Sequence, residues 1–217
     1  MASEDGGGER RYRGLLVDWG GVMTTNLFTS FGSFCEGEGI DHDAIWRSFR
    51  EDPDARQLLI GLETGAVEEA EFEPRFAARL GVTATGLIDR MFAGSSLDHG
   101  MVDAVAAARR AGVRTGLISN SWGTRRYDRK LLAALFDGIV ISGEEGMRKP
   151  DPRMYELGAE RIGVEPTACV FVDDLPFNLT PAAELGMATI HHVGAAETIP
   201  ELEQLLGVSL RRAAGRA

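Results

Sequence analysis

The chain has 217 residues, 44% of them apolar and 26% charged, which suits one globular domain or one domain carrying an insertion. With 33 acidic against 23 basic residues the formal charge is −10, which argues against a generic nucleic-acid surface or an anionic membrane as partner. Two distant cysteines, Cys35 and Cys169, make neither a disulfide framework nor a metal knuckle, and no apolar run has the length of a signal segment or a membrane span, so a soluble, cytoplasmic protein is expected.

Residues 1–10 are polar and Gly-rich and are expected to be disordered. Leu15–Val17 reads as a short buried strand that runs into Asp18. Residues 26–96 then carry no strand pattern but helical periodicity at about Ile40–Arg50, Asp54–Gly61, Glu68–Leu80 and Thr85–Phe92, the mark of a helical cap inserted after the first strand. Within it, Phe28, Phe31 and Phe34 read as cap core, and the acidic run Glu68, Glu69, Glu71 and Glu73 as the solvated face and first turn of one helix.

From 97 to 207 strands and helices alternate. Strands are expected at Thr115–Ile118, Gly138–Ile141, Cys169–Val172 and Ala188–Ile190, with helices at Met101–Ala111, Arg126–Phe136, Arg153–Ile162, Asn178–Leu185 and Glu197–Leu206. That alternation predicts an α/β core, made of 11–25 and 97–207, with a parallel sheet between helices. Residues 208–217 read as a loose basic tail. His191 and His192 are neighbours on a strand, point to opposite faces, and read as structural.

The polar residues fall where the strands end. The first strand ends in Asp18, the second in Ser119-Asn120 and the fourth in Asp173-Asp174, while Arg148-Lys149-Pro150 follows the third. Ligands of an open parallel sheet bind at the carboxyl ends of its strands, so these groups are expected to converge. The carboxylates suit Mg²⁺, and the ammonium and hydroxyl suit phosphoryl oxygens; Asp18 is then placed to attack phosphorus. Lys149 carries extra weight because the chain has only one other lysine, Lys130.

These stretches, VDWGGV, LISNSW, GMRKPDPRMYE and VFVDDLPFNLTPAAELGM, resemble in order the motifs of the haloacid dehalogenase-like (HAD) hydrolase superfamily. GLETGAVEEAEFEPRFAARLG is similar to the helical C1 cap of the branch that includes the N-terminal phosphatase domain of soluble epoxide hydrolase. The resemblance implies a Rossmann-like core and a Mg²⁺-dependent phosphatase acting on a small phosphorylated metabolite, as a monomer or homodimer. It implies Asp18 as nucleophile, Ser119, Asn120 and Lys149 on the phosphate, and Asp18, Asp174 and the Gly20 carbonyl on the metal. Asp173 is a further ligand or a support, and Asn178 braces that loop. The family usually has a second Asp where this chain has Gly20, and losing that general acid–base is typically worth ~10²–10⁴ in rate.

With Gly20 in place, aryl, acyl or anomeric phosphates are expected to be preferred, because their leaving groups need little protonation. His42 is one candidate for a replacement acid from the cap. A halide leaving group needs no proton either, so C–halogen cleavage is the rival chemistry, against which the Asp173-Asp174 pair counts. C–P cleavage through a lysine Schiff base in the cap is rejected, since residues 1–129 contain no lysine. A domain that binds a phosphorylated ligand or a protein without turnover is the non-enzyme reading.

Overall fold

The computed structural model of the chain describes residues 10–210. Five strands, β1 Gly14–Val17, β2 Arg114–Ser119, β3 Gly138–Ile141, β4 Cys169–Asp173 and β5 Ala188–His191, form one parallel sheet in the order β3-β2-β1-β4-β5. β1 is central, with Val17 opposite Leu117 on one side and Val172 on the other. Both β1 and β4 are buried along their whole length, which is why they read as continuous apolar runs. The chain builds outward from β1 through β2 to β3, then crosses to β4 on the opposite side. The switch point of this Rossmann-like sheet thus lies between β1 and β4, with Asp18 and Asp173 at its edge.

Between β1 and β2 the chain forms α1 Leu27–Glu38, α2 Ala44–Glu51, α3 Pro53–Glu63, α4 Glu69–Leu80 and α5 Leu87–Met91, then α6 His99–Arg110. The first five enclose a core of their own that includes Phe31, Ile45, Leu58, Phe72, Phe76 and Met91. The chain enters and leaves this helical unit at one place, an antiparallel bridge between Thr24 and Leu97. The periodicity did not predict α1, which Asn26 caps by accepting from the Phe28 N–H at 2.8 Å.

The remaining helices are α7 Arg129–Leu135, the short α8 Ser142–Glu145, α9 Pro152–Ile162, α10 Pro176–Glu184 and α11 Ala195–Leu206. Met101, Leu132 and Leu202 bring α6, α7 and α11 onto one face of the sheet; Met154, Tyr155 and Ala182 bring α9 and α10 onto the other. α7 starts three residues later than expected because Asp128 caps it, accepting from the N–H groups of Lys130 and Leu131.

The freed segment 121–128 reaches into the cap instead. Trp122 sits among Phe31, Phe49, Phe72 and Phe92, with ring centroids 5.3–5.9 Å away. Arg125 and Arg126 both pair with Glu69 and Asp89. The acidic run is therefore only partly a solvated face. Glu69 joins that cap-to-core network, Glu73 accepts from the Ile88 N–H, and Glu71 alone of these three makes only an i,i+4 pair, with Arg75.

The expected loose tail is corrected at its start. Leu210 is buried in the core, and its N–H donates to Glu203 Oε1 at 2.8 Å. Of the stretch expected to be disordered at the start, Arg10 donates from Nη1 to the Ala111 carbonyl at 2.9 Å; residues 1–9 and 211–217 lie outside the described residues. Cys35 and Cys169 are buried free thiols, and no helix among the described residues is long and apolar enough to cross a membrane.

Candidate active site

The ends of β1 and β4 and the loop between α8 and α9 converge on one buried ammonium. Lys149 Nζ lies 2.8 Å from Asp18 Oδ1 and 2.6 Å from Asp173 Oδ2, and the lysine is wholly buried. Asp18, Asp173 and Asp174 offer carboxylate oxygens that all lie within 4.8 Å of one another. Three carboxylates thus share one ammonium in a site largely withdrawn from water. Burial, with the neighbouring carboxylates, raises the Asp18 carboxyl in spite of Lys149. Asp174 is pushed up to about 6, by burial and then by Asp173. Burial works against the Lys149 charge, but Asp173 and Asp18 outweigh it and raise the ammonium.

This donor set fits a hard divalent cation, which takes carboxylate oxygens and would balance the surplus negative charge. The three carboxylates do not stand alike. Asp173 is engaged on both oxygens, by Lys149, the Leu175 N–H and Asn178 Nδ2, and braces the loop. Asp174 is half-buried, with its own backbone N–H bonding its carboxylate, and its carbonyl is held by His191 Nε2 at 3.1 Å. Its carboxylate presses on Gly21, where a Cβ would lie 2.3 Å from Asp174 Oδ2; with φ at +78°, that position suits glycine alone. His192 turns the other way, to Thr198 Oγ1 at 2.8 Å, so the two histidines do not meet at a metal.

Ser119, at the end of β2, is buried and shares a hydrogen bond of 2.8 Å with the Tyr127 hydroxyl. Asn120 turns out to serve Lys149 with its side chain: Oδ1 accepts from the Lys149 N–H at 2.8 Å and Nδ2 donates to the Lys149 carbonyl at 3.1 Å. Gly20 has a neighbour that its sequence did not announce. A Cβ there would lie 2.8 Å from Leu27 Cδ1, so a side chain at position 20 requires Leu27 to turn away.

Above the cluster, cap and core enclose a cavity of about 160 Å³ that Asp18, Lys149 and Asp174 help to line. The cap contributes Glu63, from the end of α3. Arg148 Nε lies 2.9 Å from its Oε2 in an ion pair off the line of a good hydrogen bond. Burial pushes the Glu63 carboxyl up to about 7, against the pull of Arg148 and Lys149. Glu63 and Tyr127 were not singled out from sequence as site residues, and Arg148 was noted only as the neighbour of Lys149; the unusual glutamate within an apolar run, LIGLETG, was the available signal for Glu63. His42, the candidate acid, is instead a surface residue paired with Glu36 at 3.2 Å and does not line the cavity.

The carboxyls of Asp18, Asp174 and Glu63 are all raised by folding, so each contributes stability at low pH that is lost as pH rises. Between about pH 4 and pH 7, where Asp174 and Glu63 ionise in the folded chain, the unfolded chain binds fewer protons and stability falls. In chelator-treated protein, Tm is expected to be lower at pH 7.5 than at pH 5 by ~5 °C or more. Mg²⁺ is expected to recover most of that difference, as melts at the two pH values with and without the ion will read.

Residues 12–186 match the haloacid dehalogenase-like hydrolase family. The chain is 31% identical over 134 residues to bifunctional epoxide hydrolase 2 of Rattus norvegicus, a match covering 58% of this chain and 24% of that protein. It thus spans about a quarter of the length of that relative. It is also 42% identical over 77 residues to a phosphatase of Mycobacterium tuberculosis, covering 33% and 35% of the two chains. Among solved structures, a predicted HAD-like family hydrolase from Porphyromonas gingivalis superposes with a TM-score of 0.69 at 23% identity, over 90% of this chain and 98% of the other. Sheet order, the strand-end carboxylates and the family match agree, and the chain belongs to the haloacid dehalogenase-like hydrolases.

Proposed function

We propose that the chain is a Mg²⁺-dependent phosphomonoesterase for a small phosphorylated metabolite, working through an aspartyl-phosphate on Asp18. The observation that carries this reading is the buried Asp18–Lys149–Asp173 cluster beside Asp174, at the switch point of the sheet. The M. tuberculosis relative, a phosphatase by name, supports the class.

Each residue then has a physical task. Asp18 supplies the attacking oxygen; the Trp19 N–H and Lys149 Nζ, both on its Oδ1, orient it. Lys149 and the Ser119 hydroxyl neutralise charge building on the equatorial phosphoryl oxygens, and Tyr127 fixes the Ser119 hydroxyl. Asp18, Asp174 and the Gly20 carbonyl would hold Mg²⁺, with Asp173 as brace, and the ion would add positive charge beside the phosphate. No side chain at position 20 protonates the departing oxygen, so esters with acidic leaving groups are favoured.

The test is hydrolysis of an aryl phosphate and a simple alkyl phosphate with Mg²⁺ and with chelator. The aryl ester is expected to turn over at least about tenfold faster, with both rates lost on chelation. Equal rates would place a working acid in the cap, and retention of activity in chelator would sink the metal-dependent reading. Preferential cleavage of a haloacid over every phosphate would assign the C–halogen chemistry instead.

A further inference from the structure

Resting on the phosphatase reading, we propose that the cavity between cap and core selects an ester whose leaving group is a flat, apolar ring system without a second anionic group. The wall carries this. Phe28, Trp46, Phe49 and Leu59 of the cap face the cavity together with Trp122 and Phe177 of the core. Phe28 and Phe177 remain 44% and 54% exposed, the two exposed large aromatic side chains among the described residues. A single exposed apolar residue is ordinary, but two rings lining one cavity from opposite sides leave apolar surface for a ligand to cover. The cap side is braced for such a face: Phe28 stacks on Trp46 at 4.3 Å and 26°, and Trp46 stacks on Phe31 at 5.3 Å.

The polar lining argues in the same direction. Arg148 is taken by Glu63 and by the Lys149 carbonyl, at 2.9 and 3.1 Å. Lys149 is taken by two carboxylates, and the Asn120 amide by the Lys149 peptide. Neither lining cation is unpaired, so a second phosphate or carboxylate on the substrate meets Glu63 and no free counter-charge. A hydroxyl-rich leaving group such as a sugar gives up hydration against the Phe28, Phe49 and Phe177 rings, which return no hydrogen bonds.

Gly20 adds an independent reason, because a phenolate departs without a proton donor. Asp18 attacks phosphorus, the P–O(aryl) bond breaks, and its electron pair leaves on the phenolate oxygen, which takes a proton from water. Water then hydrolyses the aspartyl-phosphate to inorganic phosphate and restores Asp18.

The experiment compares 1-naphthyl phosphate with phenyl phosphate, whose leaving groups have nearly the same acidity but different ring area, and uses acetyl phosphate as a ringless control. Calorimetric affinity for the Asp18→Asn protein, which needs no turnover, is expected to be about tenfold higher for the naphthyl ester. In the wild type the same preference is expected in KM. Phe177→Ala and Phe28→Ala are each expected to lower the naphthyl-to-acetyl ratio of kcat/KM about fivefold. Equal affinities for the two aryl esters, or wall variants that leave that ratio unchanged, overturn the proposal even where all three esters are hydrolysed. Tight, ring-selective binding without turnover of any ester upholds the wall and sinks the phosphatase reading instead.

Discussion

Asp18→Asn is expected to lower kcat for an aryl phosphate by about 10⁴-fold or more while leaving the protein folded. The amide keeps the shape of the carboxylate, and its oxygen still accepts from the Trp19 N–H and from Lys149, the two partners of Asp18 Oδ1. It lacks the second charged oxygen with which to attack phosphorus, so the covalent route closes. The fold loses little. Asp18 is a carboxyl that burial and two neighbouring carboxylates already push toward its neutral form, so an uncharged isostere relieves repulsion in the metal-free protein. Melts in chelator near neutral pH are therefore expected to show the variant as stable as the wild type or more so. If wild type and variant are equally inert toward a broad panel of phosphate esters with Mg²⁺, the chain is a binding module and not a phosphatase.

That variant targets a residue legible in the sequence, and the reason is topological. In a parallel sheet buried on both faces, each strand is a short apolar run, and whatever polar residue ends it stands at the ligand edge. Asp18, Ser119 and Asp173 could be placed by that rule alone, and Lys149 by its rarity. What stayed hidden depends on contacts across long sequence separations. Nothing near Gly20 announces that Leu27 fills the adjoining space, nor does anything near Arg148 point to Glu63 in the cap. Asn120 was read as a ligand-facing amide and does line the cavity, but nothing local announced that its side chain clamps the Lys149 peptide, 29 residues away. α1 was missed because Gly32 and Gly37 dilute its apolar stripe, and its tertiary packing overrides that low propensity. The segment 121–128 carried a helical pattern at its end but spends its arginines and Trp122 on the cap. It ties the core to the cap, a task without a local signature.

Lys149→Met separates the electrostatic role of the lysine from its bulk, and it is expected to cost about 3–5 kcal/mol of stability near neutral pH. Methionine fills a similar volume and can still lie against the Phe171 ring, whose centroid is 5.6 Å from Nζ, so little of the loss comes from packing. The loss comes from Asp18 and Asp173, left facing each other beside Asp174 with no ammonium between them. Its sign against pH follows: the destabilisation is expected to shrink toward pH 5, where the crowded carboxyls take up protons, and to grow toward pH 8. Mg²⁺ is expected to return part of the stability, since a cation that binds only the folded carboxylates favours the fold by mass action. Turnover is expected to stay lost even then, because no ammonium remains to hold the phosphoryl oxygens. Lys130→Met is the control, an exposed position at the start of α7 where a change within about 0.5 kcal/mol is expected at every pH. A Lys149→Met protein that melts like the wild type from pH 5 to pH 8 would mean that the three carboxylates do not depend on that ammonium, and the charge balance assigned to the site would fall.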